Sequence, residues 1–113
     1  MQSVIDLMAR ALPCELVANQ GANLSECAVY DFYSTGWDGV KRSIMLKVSI
    51  FAQSMQRAMQ IQDALERALV TPGDKPLTET ALSCRQNGGG WLNDGNRHCR
   101  ISYFELIIKD TNL

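Results

Sequence analysis

The sequence predicts an α+β fold, a mainly antiparallel sheet of about four to five strands packed against two helices, in the order helix, strand, strand, strand, helix, strand, strand. Two changes of hydrophobic period carry this reading. Ile44, Leu46, Val48 and Ile50 alternate with Met45, Lys47 and Ser49, the pattern of a strand with one packed face and one wetted face. From Ser54 onward the apolar residues Met55, Ala58, Ile61, Leu65, Ala68 and Leu69 recur at helical spacing, with Gln, Arg and Glu between them.

The elements follow in order. Ser3 to Leu12 carries Val4, Ile5, Leu7, Met8, Ala11 and Leu12 on a helical stripe, with Ser3 placed as an N-cap and Pro13 as the stop. Cys14 to Ala18 reads as a short strand, followed by a turn built on Gly21. "ECAVYDFYS" and "VKRSIMLKVSIFA" form a hairpin across Thr35 to Gly39. The second helix starts at the N-cap Ser54 and ends in "TPGDKP"; the alternating face just before it is the surface its stripe covers. "TALSCRQ" and His98 to Lys109 are the remaining strands, joined by "NGGGWLNDGN" as a glycine-rich loop with room for a short strand around Trp91 and Leu92.

The chain reads as a single domain over residues 1–113, without internal duplication. Its 11 Lys+Arg against 12 Asp+Glu leave a formal charge of −1, which disfavours a reader of nucleic-acid backbones. "MQSVIDLMARALPC" lacks a basic n-region and is interrupted by Asp6 and Arg10, so neither a signal peptide nor a membrane span is expected, and the cytosol is the expected place of synthesis and residence. Cys14, Cys27, Cys84 and Cys99 have no C-x-x-C spacing, and buried free thiols are expected.

Catalytic chemistry finds little footing. The glycine-rich segment has no Lys-Ser/Thr and no following helix, so it is not a phosphate loop. His98 and Cys99 are adjacent in a strand and point to opposite faces, which removes them as a dyad. Asp31 and Glu105 sit in apolar strands without a partner carboxylate, and no Asp/Glu/His cluster has ligand spacing. No catalytic residue, cofactor or metal site is expected.

The tryptophans are more informative. Trp37 is placed at a hairpin tip between Gly36 and Asp38, and Trp91 in the other long loop, while Ile, Leu, Val and Met fill the core. Each ring either folds back over its own strands or meets a partner, and interface anchors favour Trp. The expected assembly contacts are Trp37 and Asp38 at the first place, and Gly89, Gly90, Trp91, Asn93 and Asp94 at the second.

The organisation resembles the tail terminator and tail completion proteins of long-tailed bacteriophages, with the small minor tail and neck proteins related to them. The likeness spans nearly the whole chain in element order. It is closest in "VKRSIMLKVSIFAQSMQRAMQIQDALERAL", a strand running straight into a helix, and in the closing strand from Arg100. The resemblance implies a ring, usually a hexamer, that caps the tail tube, ends its polymerisation and offers a face to the head connector or neck proteins. It also implies passage of DNA through the lumen without specific binding, no membrane partner, and a place in the virion at the head-proximal end of the tail after assembly in the host cytoplasm. A head-closure or minor capsid protein at the neck is the related alternative. A small ligand-binding module or enzyme using the Gly88 to Asn96 loop is the alternative of another class.

Overall fold

The computed structural model describes residues 2–18, 26–70, 76–94 and 97–109. The expected turn at Gly21, most of the "TPGDKP" turn, and Gly95 and Asn96 lie outside the described residues, as do the side chains of Asn93 and Asp94. The elements are α1 (Gln2–Ala11), β1 (Glu15–Ala18), β2 (Cys27–Trp37), β3 (Lys41–Ala52), α2 (Met55–Leu69), β4 (Ala81–Asp94) and β5 (Arg97–Lys109). The strands form one sheet in the order β1-β2-β3-β5-β4. Among the described strands, β1–β2 is parallel and the other pairings are antiparallel. The α+β class and the element order are as the sequence predicts.

Both helices pack on one face of the sheet. Val4 and Met8 of α1, and Ala58, Ile61, Leu65 and Leu69 of α2, are fully buried against Leu46, Val48 and Ile50 of β3 and Phe104, Leu106 and Ile108 of β5. Burying each such Leu or Ile contributes about 1.5–3 kcal/mol, so the α2 stripe is what holds the helix to the sheet. The alternate residues of β3 and β5, among them Met45, Lys47, Ile101 and Tyr103, face away from the helices and stay half-buried. Among the described residues, no element covers that second face.

Polar groups fix the helices. Ser54 is the N-cap of α2, its hydroxyl accepting from the Arg57 amide at 3.1 Å. The Arg57 side chain donates from Nε to Glu26 Oε1 at 2.5 Å and from Nη2 to the Pro13 carbonyl at 2.8 Å. One guanidinium thereby ties the start of α2 to the entry of β2 and the exit of α1. Under α2, Ser102 Oγ donates to Gln62 Oε1 at 3.0 Å, and Gln62 Nε2 donates to Glu66 Oε1 at 2.8 Å, so the buried amide is satisfied at both ends.

The structure corrects three expectations. Ser3 is not an N-cap, because α1 already includes Gln2; its hydroxyl instead lies 3.0 Å from Thr78 Oγ1 and 3.1 Å from Thr80 Oγ1, tying α1 to the lead-in of β4. Trp37 is the last residue of β2, paired with Arg42, and the turn itself is shorter than Thr35 to Gly39. The segment from Asn87 to Asp94 is strand, so the short strand expected around Trp91 and Leu92 is present, and it is part of β4 rather than an element within a loop. The unbroken edge of β5 explains the last difference, since pairing along it outweighs the poor strand propensity of Gly and Asn.

Accommodating those glycines requires a bulge. The β4–β5 register shifts between Gln86 and Gly89, and Gly88 takes φ +98°. At Gly89 the two strands approach so closely that an added Cβ would run into the Ile101 carbonyl oxygen. The glycine run is thus a device for close strand pairing.

The four thiols are free. Cys27, Cys84 and Cys99 are buried and Cys14 is half-buried. Burial pushes the Cys84 thiol up to about 12, and burial with the nearby Glu26 carboxylate pushes Cys14 up to about 11.

Candidate assembly surfaces

At the β2–β3 turn, Asp38 closes the chain reversal. Its carboxylate accepts from the amides of Val40 at 2.9 Å and Lys41 at 2.6 Å, and its own amide donates to the Lys41 carbonyl at 3.1 Å. Those Lys41 and Val40 amide bonds hold its carboxyl below the usual range. Gly39, at φ +95°, supplies the left-handed conformation the turn needs. Asp38 is therefore occupied in shaping the turn, and Trp37 beside it is exposed.

Trp37 is 60% exposed, with the Arg42 guanidinium 5.5 Å from its ring centroid. Arg42 Nη1 also donates to Ser34 Oγ at 3.3 Å, which fixes the stack from the strand below. Phe32 and Tyr33, earlier in β2, and Val40 in the turn are exposed as well. β2 is buried at Cys27 and Ala28, where β1 pairs with it, and becomes exposed from Phe32 onward, beyond the stretch that β1 borders.

The second place lies on β4, at the opposite edge of the sheet. Trp91 is 40% exposed and faces the helix side across from Arg100, whose guanidinium lies 5.4 Å from the ring centroid. Leu92, on the other face across from Cys99, is 56% exposed. Trp91 and Arg100 border a shallow depression of about 300 Å³ with Met59, Gln62, Asp63 and Glu66 of α2. Its size is at the low end for a ligand pocket, and its walls mix both signs of charge.

The expected contact residues thus form two separate groups. Trp37 and Asp38 lie at the end of β2, whereas Gly89, Gly90 and Trp91 lie on β4, at the opposite sheet edge. Asn93 and Asp94 are placed by backbone only, opposite His98 and Arg97. Gly89 serves strand approach, as described above. Sequence reasoning missed Phe32, Tyr33 and Leu92, whose exposure depends on the face and the sheet edge that each occupies. It also missed the Arg42 and Arg100 stacks, which require the strand register.

The residues weighed for chemistry stay apart from one another. Asp31 is opposite Lys47, and Glu105 is opposite Met45 with Arg85 Nη2 at 3.8 Å. His98 pairs with Ala52 and Cys99 with Phe51, on opposite faces. No group of three His, Cys, Asp or Glu among the described residues is arranged to hold a metal ion. A groove of about 750 Å³ between α1 and the lead-in to β4 is lined by Ser3, Asp6, Leu7, Arg10 and Leu77 to Thr80, without a nucleophile and base in contact. Neither helix is long and apolar enough to cross a membrane. No protein-family model matches the chain, and no curated protein matches it.

Proposed function

We propose that this chain is a structural subunit that assembles with copies of itself into a ring, and that the ring caps the tail tube of a long-tailed bacteriophage. The observation that carries the first part is the placement of its exposed aromatic residues. Phe32, Tyr33 and Trp37 lie at one sheet edge and Trp91 at the other. Contact surfaces on two different sides of a subunit suit head-to-tail association, which gives closed rings when the rotation per joint closes.

The phage assignment rests on the resemblance in element order, above all the strand that runs through Ala52 into the helix starting at Met55. In this reading the chain is not an enzyme. Its partners are other copies of itself in a ring of about six, the tail tube protein, and the connector or neck proteins of the head. DNA traverses the lumen unbound, which accords with the net charge of −1. A neck protein of the head-closure type would use the same surfaces with a different neighbour.

The test combines sedimentation of the purified protein with electron microscopy of tail tubes polymerised in its presence. Rings in solution and tubes of limited length with a cap at one end are expected. Trp37→Ala and Trp91→Ala should keep native circular dichroism while weakening the ring, with a loss of about thirtyfold in affinity for a tryptophan at the centre of a contact. A monomer across the micromolar range, together with tubes of unrestricted length, would contradict the reading.

A further inference from the structure

We infer that the joint between subunits is a continuation of the sheet, in which β4 of one copy pairs antiparallel with the outer edge of β2, from Asp31 to Trp37, in the next. This deepens the ring reading and rests on it. Strand direction is the first reason. β2 runs antiparallel to β3, β3 to β5 and β5 to β4, so β4 runs opposite to β2. A copy rotated about an axis roughly along the strands brings its β2 edge against β4 in the antiparallel sense, without inverting the sheet.

The second reason is that, among the described residues, β1 borders only the first part of β2. It pairs with Cys27 to Tyr30 and ends there at Ala18. Beyond it, from Asp31 to Trp37, β2 has β3 on one side and no described strand on the other. A strand edge without a partner is a template for pairing with another chain.

The third reason is the match between the side chains on the two edges. Phe32 faces the helix side of the sheet and Tyr33 the open side; on β4, Trp91 faces the helix side and Leu92 the open side. Side chains alternate with period two, so a single antiparallel register brings Phe32 beside Trp91 and Tyr33 beside Leu92, as direct or diagonal neighbours. Apart from Met55 and Met59 on α2 and Val70 at its C-cap, every exposed large apolar residue among those described lies on one of these two edges or in the adjoining turn. A two-fold pairing of β4 with β4 would leave the β2 aromatics in water.

Position along the sheet adds a geometric consequence. The β2 aromatics lie toward the end marked by the Lys41–Lys109 pair, and Trp91 and Leu92 toward the end marked by Ala52–His98. Each joint is therefore staggered. In a closed ring this stagger appears as a tilt of the strands against the ring axis, as it does in barrels.

Tyr33→Asp and Leu92→Asp test the joint, since both positions are more than half exposed in the subunit. Each variant alone should sediment as a folded monomer. Mixed in equal amounts, they should form a dimer and nothing larger, because β4 of the Tyr33→Asp copy and β2 of the Leu92→Asp copy still make one intact joint. Tyr33→Ser and Leu92→Ser, which remove apolar surface without adding charge, should weaken the ring by about tenfold or more and guard against a folding defect in the Asp variants. Intact rings from either Asp variant, or a mixture that stays monomeric while wild type forms rings, would place the joint elsewhere and leave the ring reading standing. Wild-type protein that is itself monomeric would remove both.

Discussion

Gly89→Ala should destabilise the subunit strongly, while Gly90→Ala, one residue further on, should not. At Gly89 an added Cβ would meet the Ile101 carbonyl oxygen, a backbone atom with no rotamer by which to withdraw, and the local φ of +157° is one that side-chain-bearing residues rarely adopt. The backbone conformation alone costs about 1–3 kcal/mol. Relieving the contact means drawing β4 away from β5, which weakens adjoining ladder bonds at about 0.5–1.5 kcal/mol each. The sum is on the order of 2–4 kcal/mol. Gly90 has no neighbour within 4 Å of its added Cβ and no positive φ, so alanine there is neutral or stabilising by about 0.4–1 kcal/mol through the unfolded chain. Urea unfolding followed by circular dichroism, at one protein concentration, separates the cases. With a slope of about 1–3 kcal/mol per molar, Gly89→Ala should lower the midpoint by roughly 1–3 M. Equal midpoints for the two variants would refute the close-approach account of β4.

Ile61→Asp or Leu65→Asp buries an unpaired charge beneath α2 and should unfold the subunit, seen as loss of native circular dichroism; a folded monomer would mean the helix stripe packs differently. Glu26, whose pKa is lowered mainly by its hydrogen bond from Arg57, stabilises the fold above the unfolded carboxylate pKa of about 4.3, and that contribution is lost as pH falls through the depressed folded value. Glu26→Gln should thus lower the melting temperature modestly at neutral pH and hardly at all in acid, and an equal loss at both would contradict the pairing. Ser102→Ala leaves Gln62 Oε1 without its donor and should cost about 1–3 kcal/mol by chemical denaturation. The raised thiol pKa values of Cys14 and Cys84 predict slow reaction with a disulfide reagent at pH 8 in the folded state and titration of all 4 cysteines after denaturation.

The sequence was most legible where one period held over a long run. Ile44 to Ile50 and the α2 stripe each announce a geometry and a buried face, and both lie where their spacing places them. Ser54 was legible as a cap because a single hydroxyl at a period change has a local role. The same reasoning failed at Ser3, whose partners Thr78 and Thr80 are distant in sequence. It failed again at the glycine run, where local preference says loop and the edge of a strand made later says otherwise. Candidate contacts were partly legible for a related reason. Composition showed that the tryptophans were not needed in the core, but only the register of β2 against β3 and of β4 against β5 shows which edge each occupies.

The position of β5 in the sheet has a consequence for the birth of the molecule on the ribosome. β5 is the last of these strands to be synthesised, yet it lies between β3 and β4 and pairs with both along its length. Until it emerges, β3 has one neighbour, β4 has none, and the α2 stripe lacks Phe104, Leu106 and Ile108 beneath it. Folding must then wait for long-range closure around a late central strand, a slow class of topology. A nascent chain held at β4 displays unmatched strand edges to its neighbours on the same message. The β4 edge on which the proposed joint relies is thereby complete only once translation has passed Lys109.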